Sequence, residues 1–132
     1  MVPAATRNEA RSRLARAREY FAFAEIADGD ANFANPGVSL CVNAGIAAAD
    51  VVLLLSEHRR GARDGHERAP HALRRINQDS MARSLSRLLK LKPRAQYTAG
   101  ESCSANDFRD ALRDARRCIE LASAMLNGEV NE

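Results

Sequence analysis

The longest apolar segment of the chain constrains its fold more than any other feature. It runs from Val38 to Leu55 and has Asn43 and Asp50 inside it. An apolar run of about 18 residues is long enough to raise the question of a membrane span, but a central aspartate costs roughly 3 kcal/mol on insertion scales. Glycine and alanine make the run less hydrophobic still. We therefore interpret it as the buried central helix of a soluble protein, with no membrane association.

The polar side chains of this segment share one face of the expected helix. At 100° per residue, four of them fall within about 40° of one another: Ser39, Asn43, Asp50 and Glu57. A polar stripe on an apolar helix needs water, a neighbouring helix or a second subunit as its partner. Asn43 and Asp50 are therefore predicted to form one wall of a ligand site, and close helix packing through the adjacent alanines is the alternative.

The rest of the chain also shows the apolar spacing of helices, and no segment alternates as a strand does. The sequence predicts one all-α domain spanning residues 1–132, an up-and-down bundle of four to five helices. The expected helices run from Thr6 to Ala27, from Asn35-Pro36-Gly37 to about Arg60 before Gly61, from His71 to Gln78, from a cap at Ser80 to a stop or kink at Pro93, and from Ser104 to Asn127-Gly128. Ser104 and Asp107 have the spacing of a capping box.

Composition excludes several classes of function. The net charge of +3 is only weak support for nucleic-acid binding. The three cysteines are far apart and odd in number, which indicates core residues in a reducing compartment. The N-terminal segment is charged before an apolar signal region can form, so we expect a cytoplasmic protein. The histidine spacing does not fit zinc, standard catalytic motifs are absent, and no cofactor is expected.

A second candidate site lies where the fourth expected helix ends, in the segment LKPRAQY. Lys92 and Arg94 supply two cations there, and Tyr97 supplies an aromatic ring. Cations bind phosphate and an aromatic ring stacks on a base, so the three residues could contact RNA or a phosphate-bearing ligand. The alternative is a helix end whose cations interact with the helix dipole while Tyr97 covers the core.

The segments SLCVNAGIAAADVVLL, a GH loop and LSRLLKLKPRAQYTA, followed by an acid-capped amphipathic helix, resemble the HEPN superfamily, the higher eukaryotes and prokaryotes nucleotide-binding domains. The resemblance covers residues 17–126 and is closest to small single-domain bacterial members. It implies a helical bundle that forms a homodimer. It also implies a metal-independent ribonuclease with an Arg-x4-6-His motif, in some members a toxin paired with a nucleotidyltransferase antitoxin.

At the position of that motif this chain has Lys92-x4-Tyr97, so both defining residues differ. An unperturbed tyrosine has a pKa near 10 and is a poor general base, and lysine lacks the bidentate fork of arginine. We therefore expect a dimeric RNA- or nucleotide-binding module, within a toxin–antitoxin or defence system, with Lys92, Arg94 and Tyr97 as contact residues and Asn43 and Asp50 as the second wall. A ribonuclease using Lys92 and Tyr97, and a non-catalytic adaptor, remain as alternatives.

Overall fold

A computed structural model describes residues 2–28, 30–56, 66–97 and 101–131. Within these ranges the chain forms five α-helices, two short 3-10 turns and no strand, which confirms the all-α prediction. The helices are α1 (Ala4–Ile26), α2 (Ala34–Leu55), α3 (Ala69–Arg75), α4 (Asp79–Gln96) and α5 (Ala105–Asn131). The 3-10 turns are Ala31–Phe33, before α2, and His66–Arg68, before α3.

The four long helices alternate in direction along the chain. On α1 and α5, Glu25 pairs with Arg116 and Arg18 bonds to Ser123, so a later residue of one helix meets an earlier residue of the other. The pairs Arg87–Asp114 and Arg94–Asp107 give α4 and α5 the same antiparallel relation. Arg13, in the first half of α1, contacts Asp50, in the second half of α2, so these two helices are antiparallel as well. The result is an up-down-up-down bundle, with α3 in the connection between α2 and α4.

The second helix lies at the centre of this bundle. It packs on α1, α4 and α5, whereas α1 and α4 share no extensive contact within the described ranges. Sixteen of its 22 residues are buried. Residues 31–55 are apolar and long enough to cross a bilayer, but 83% of the apolar window is buried inside the molecule, as in the core helix of a soluble protein. Burial of apolar surface from water is the main stabilising contribution to such an arrangement.

Two glycines let neighbouring helices come close to α2. A Cβ at Gly37 would overlap the ring of Phe108 on α5, which is itself fully buried. A Cβ at Gly45 would lie 2.5 Å from Leu88 Cδ1 on α4. Gly37 needs to lack a side chain because the fully buried Phe108 ring already fills the space, whereas a Cβ at Gly45 would require the end of the Leu88 side chain to shift.

Several predicted helix ends differ from those observed. The second helix ends at Leu55, with Ser56 as its C-terminal cap, and the predicted end near Arg60 lies outside the described residues. The short third helix ends at Arg75 because Asn77 adopts a left-handed φ of 63°, a conformation that asparagine tolerates better than most residues. Gly61, predicted to follow the end of the second helix, and Glu57, predicted to belong to its polar stripe, also lie outside the described residues.

The prediction that Ser80 caps α4 was wrong, and of the predicted stop or kink at Pro93 the stop is not observed. The helix begins at Asp79, so Ser80 lies inside its first turn, and it continues through Pro93 to Gln96. Proline removes one backbone donor, but the following turn still closes, since the Tyr97 N–H donates to the Pro93 carbonyl at 2.8 Å. Similarly, α5 continues past Gly128 to Asn131. One exposed glycine costs a helix only about 1 kcal/mol.

The contact of Gly37 with Phe108 gives a prediction about stability. Gly37→Ala should lower the free energy of unfolding by about 1–3 kcal/mol, because the added methyl group overlaps the Phe108 ring. Gly128→Ala is the matched control, since nothing lies within 4 Å of its Cβ position. It should raise stability by up to about 1 kcal/mol through helix propensity. Urea unfolding followed by circular dichroism measures both, and equal stability of the two variants would contradict the packing described.

Candidate functional site

A groove of about 570 Å³ lies on the face of α2 between α1 and α4. Three helices line it: α1 contributes one wall, α2 the floor and α4 a single cation on the other wall. The lining residues are Glu9, Ser12, Arg13, Arg16 and Tyr20 from α1, Asn43, Ile46, Ala47 and Asp50 from α2, and Lys92 from α4. The groove exists because α1 and α4 both pack on α2 without closing over it.

The floor of the groove contains part of the polar stripe predicted on α2. Asn43, Ile46, Ala47 and Asp50 are spaced by three, four and seven residues, which places them on one face of the helix. Asn43 is half-buried, whereas only 5% of Asp50 is exposed. Asn43 and Asp50 thus line the same groove. The fourth member of the predicted stripe, Glu57, is not described.

An ion pair between α1 and α2 lies at one end of this groove. Arg13 Nη1 donates to Asp50 Oδ2 at 2.9 Å, and Arg13 Nη2 lies 3.3 Å from Glu9 Oε1. Asp50 is buried, so the nearby guanidinium compensates a charge that would be costly to bury alone. The arginine therefore fixes α1 to α2, and its one positive charge lies beside two carboxylates.

The other cations of the groove have no such balance. Arg16 on α1 and Lys92 on α4 form no ion pair with any residue in the described ranges. Tyr20 lies four residues after Arg16, on the same face of α1, and its side chain is half-buried in the groove. An aromatic ring and two uncompensated cations therefore line one cavity.

The continuation of α4 through Pro93 separates two residues that the sequence places side by side. Residues two apart on a helix do not face each other, so Lys92 lines the groove while Arg94 faces α5. There Arg94 Nη1 donates to Asp107 Oδ2 at 3.1 Å. Arg94 is thus placed as a link between helices and does not line the groove.

The predicted capping box at the start of α5 is confirmed. The Asp107 N–H donates to Ser104 Oγ at 3.0 Å, and the Ser104 N–H donates to Asp107 Oδ2 at 2.9 Å. The N–H of Ser104, then its hydroxyl and Arg94, lower the pKa of Asp107 below its ordinary value. Arg94 therefore adds a third contact to a helix cap.

The last predicted contact residue, Tyr97, lies apart from the groove. It is the C-terminal cap of α4 and its side chain is 73% exposed. Five residues along a helix from Lys92, it is turned away by about 140°. Of the five predicted contact residues, the structure brings together Asn43, Asp50 and Lys92, and places Arg94 and Tyr97 elsewhere.

Sequence reasoning missed Arg16 and Tyr20 as groove residues. The local signal differs for the two residues. Arg16 lies on a polar part of α1, whereas Tyr20 is spaced at i, i+3 and i, i+4 from the buried Ala17 and Ala24 and packs against the core. Nothing in the sequence indicates that either residue lies opposite Lys92, which belongs to a helix far along the chain.

The three cysteines are buried and none forms a disulfide. Burial, as the largest cause, raises the pKa of Cys41 to about 12 and that of Cys118 to about 12. A buried thiol with such a pKa stays protonated at neutral pH and is unreactive. These residues act as small apolar core side chains, in agreement with the interpretation of the sequence.

Among the described residues, no three His, Cys, Asp or Glu side chains cluster in a way that could hold a metal ion.

The bundle and its groove define a class of architecture but not a family. Comparisons with protein-family models, with curated proteins and with solved structures found no match for this chain.

The capping box predicts a specific dependence of stability on pH. Because folding lowers the pKa of Asp107, its carboxylate stabilises the native state above its unfolded pKa, and this contribution is lost as the pH falls through the folded pKa. Asp107→Ala should cost about 0.5–2 kcal/mol at pH 7 and progressively less below about pH 4. Urea unfolding at pH 7 and at pH 3 measures the difference. Asp110→Ala, an exposed carboxylate in the same helix, is the control and should change stability by less than about 0.5 kcal/mol.

Proposed function

We propose that this protein is an RNA- or nucleotide-binding helical-bundle module, and that a phosphate of its ligand binds in the groove between α1, α2 and α4. The observation that carries the proposal is the pair of uncompensated cations, Arg16 and Lys92, in one groove. Two like charges that line one cavity repel each other, and an anion between them relieves this repulsion. A phosphate carries that charge and accepts hydrogen bonds from both guanidinium and ammonium groups.

The remaining lining of the groove suits the rest of a nucleotide. Its volume of about 570 Å³ falls within the usual range of small-molecule sites. Tyr20 offers an aromatic face for a base, and the Asn43 amide can both donate and accept hydrogen bonds. The apolar floor at Ile46 and Ala47 provides contact area for a sugar or base. Apolar walls with a few polar groups are typical of such sites.

The resemblance to HEPN domains supports the same ligand class and completes the proposal. From this resemblance we propose a homodimer within a toxin–antitoxin or defence system, with a nucleotidyltransferase-type antitoxin as its partner. We propose a cytoplasmic location as well. The bundle topology and the apolar central helix are compatible with that assignment.

The groove favours binding over cleavage. Lys92 lines it, whereas Tyr97, the other member of the degenerate motif, does not. In the described part of the chain no histidine lines the groove, so no side chain there has an ordinary pKa near neutrality. The ribonuclease alternative therefore has no histidine next to the cations, within the described residues, to transfer protons as the resembled motif would.

The proposed phosphate site gives a prediction about affinity. Arg16→Ala and Lys92→Ala should each weaken binding of a labelled oligouridylate or a nucleoside triphosphate by about 3–10-fold, and should reduce the salt dependence by about one charge. Lys90→Ala is the matched control, because Lys90 is exposed on the same helix and lies outside the groove. Fluorescence anisotropy over a series of salt concentrations measures these values. If Lys92→Ala binds as Lys90→Ala does, the groove is not the site.

A second prediction separates binding from cleavage. Freshly purified protein incubated with several RNAs in EDTA should leave them intact, and wild type and Tyr97→Phe should give identical gels. Cleavage by wild type that is lost in Tyr97→Phe would contradict the binding-only proposal and favour the metal-independent ribonuclease.

A further inference from the structure

The charges of this protein are strongly segregated along the chain. All 20 lysines and arginines lie at or before Arg18, or at or after Arg59. The stretch from Glu19 to His58 has none, although it contains six carboxylates, at Glu19, Glu25, Asp28, Asp30, Asp50 and Glu57. In a chain of net charge +3, the last two turns of α1, from Glu19 onward, and the connection to α2 therefore carry carboxylates and no cation of their own.

Large apolar side chains are exposed in the same acidic region. Phe23 is 66% exposed, Ile26 81% and Phe33 51%. Tyr97 is the one other large apolar side chain with such exposure in the described ranges, and it belongs to α4. Because exposed aromatic and branched aliphatic side chains cost free energy in water, a cluster of them indicates a contact surface.

Phe23 and Ile26 belong to a face of α1 that the bundle does not use. The buried side chains of α1 include Leu14, Ala17 and Ala24, which face the core. Glu19, Phe23 and Ile26 instead follow one another at spacings of four and three on the outer surface. Neither Phe23 nor Ile26 packs against the core of the described residues. Glu19, Phe23 and Ile26 thus form an exposed stripe that begins with a carboxylate and ends with two apolar side chains.

Phe33 follows the end of this stripe by seven residues, in the connection to α2. The Asp28 N–H donates to the Glu25 carbonyl, that of Asp30 to Ala27, and that of Phe33 to Asp30, each at 3.0–3.1 Å. These successive turns keep the connection compact and at the end of α1. The acidic-apolar surface is thus defined by Glu19, Phe23, Ile26, Asp28 and Phe33.

The carboxylates of this surface are not all neutralised within the molecule. Glu25 pairs with Arg116 at 3.3 Å, and Asp30 accepts the N–H of Asn32. Glu19 and Asp28 form no ion pair with any residue that the structure describes. Two negative charges therefore flank the exposed apolar side chains.

We propose that the acidic-apolar surface docks a basic amphipathic helical segment of a partner protein. The apolar face of that helix would cover Phe23, Ile26 and Phe33, and its lysines or arginines would lie opposite Glu19 and Asp28. Anchors at spacings of three and four are how amphipathic helices recognise one another. Charge complementarity at the rim accelerates encounter and selects the partner.

Charge also disfavours the other occupants of this surface. RNA is a polyanion, and the stretch from Glu19 to His58 offers it no lysine or arginine. In a two-fold contact between copies of this chain the same patch would face itself, bringing like charges together. A basic partner is the occupant that satisfies both the apolar side chains and the carboxylates.

The test uses synthetic peptides of defined chemistry and the full chain. One peptide of about 18 residues has leucines at helical spacing and lysines elsewhere, a second has the same composition in scrambled order, and a third replaces lysine by glutamate. Fluorescence anisotropy of the labelled peptides measures affinity. The amphipathic leucine–lysine peptide should bind wild type at least about tenfold more tightly than either of the other two.

Two double variants test the surface itself, and both change only exposed side chains, so the fold should persist by circular dichroism. Phe23→Ser with Ile26→Ser should weaken binding about tenfold or more at every salt concentration. Glu19→Lys with Asp28→Lys should weaken it about tenfold at low salt and less at high salt. Glu120→Lys, an exposed carboxylate on α5 without an ion pair in the described ranges, is the matched control and should bind as wild type does.

Other outcomes would overturn the proposal. Equal affinity of all variants, or no preference for the amphipathic peptide, would remove the surface or its occupant. A concentration-dependent dimer that Phe23→Ser with Ile26→Ser abolishes would show that a second copy covers this face. Oligouridylate binding lost in the same variant would assign the surface to RNA. Arg16 and Lys92 are intact in all these variants, so failure here is distinguishable from failure of the phosphate groove.

Discussion

Because α2 is apolar on nearly every side, it is stable in water only where other helices enclose it, and the arrangement of the bundle depends on this enclosure. On α2, Gly45 leaves room for Leu88 of α4, and Gly37 leaves room for Phe108 of α5, so both helices approach α2 closely. Each neighbour also forms ion pairs at its edges, such as Arg87 with the buried Asp114 between α4 and α5. Apolar burial supplies the driving force, and these directional contacts fix which helix lies beside which.

The groove follows from the one face of α2 that its neighbours leave uncovered. Asn43 and Asp50 are tolerated in an apolar helix because that face meets water or Arg13. The same opening leaves Arg16 and Lys92 in one cavity without an ion-pair partner among the described residues, beside the Glu9 and Asp50 carboxylates that Arg13 contacts. The groove that leaves Asn43 half-exposed therefore also contains the two cations of the proposed phosphate site. At the end of α1 the opposite charge prevails, so the two proposed surfaces differ in the sign of their electrostatic potential.

Local chemistry explains which sequence predictions succeeded. The capping box of Ser104 and Asp107 was predictable because both of its hydrogen bonds form within four residues. The buried central helix was predictable from its apolar composition. The extent of α4 was not, because a proline removes one hydrogen bond and the sequence does not reveal whether the helix tolerates that loss. That misjudged end also grouped Arg94 with Lys92, although in a continuous helix they face different neighbours.

The sequence by itself determined an all-α fold, a central helix with a polar stripe, three cysteines without a disulfide spacing, and the positions of the cations. These follow from periodicity and composition, which act over one or two helical turns. Only the tertiary structure decided that Arg16, Tyr20 and Lys92 line one cavity, that Arg94 belongs to a helix cap, and that Phe23 and Ile26 are exposed. The physical reason is that facing side chains belong to helices distant in sequence, and their relative rotation is fixed by the packing around α2 and by no local signal.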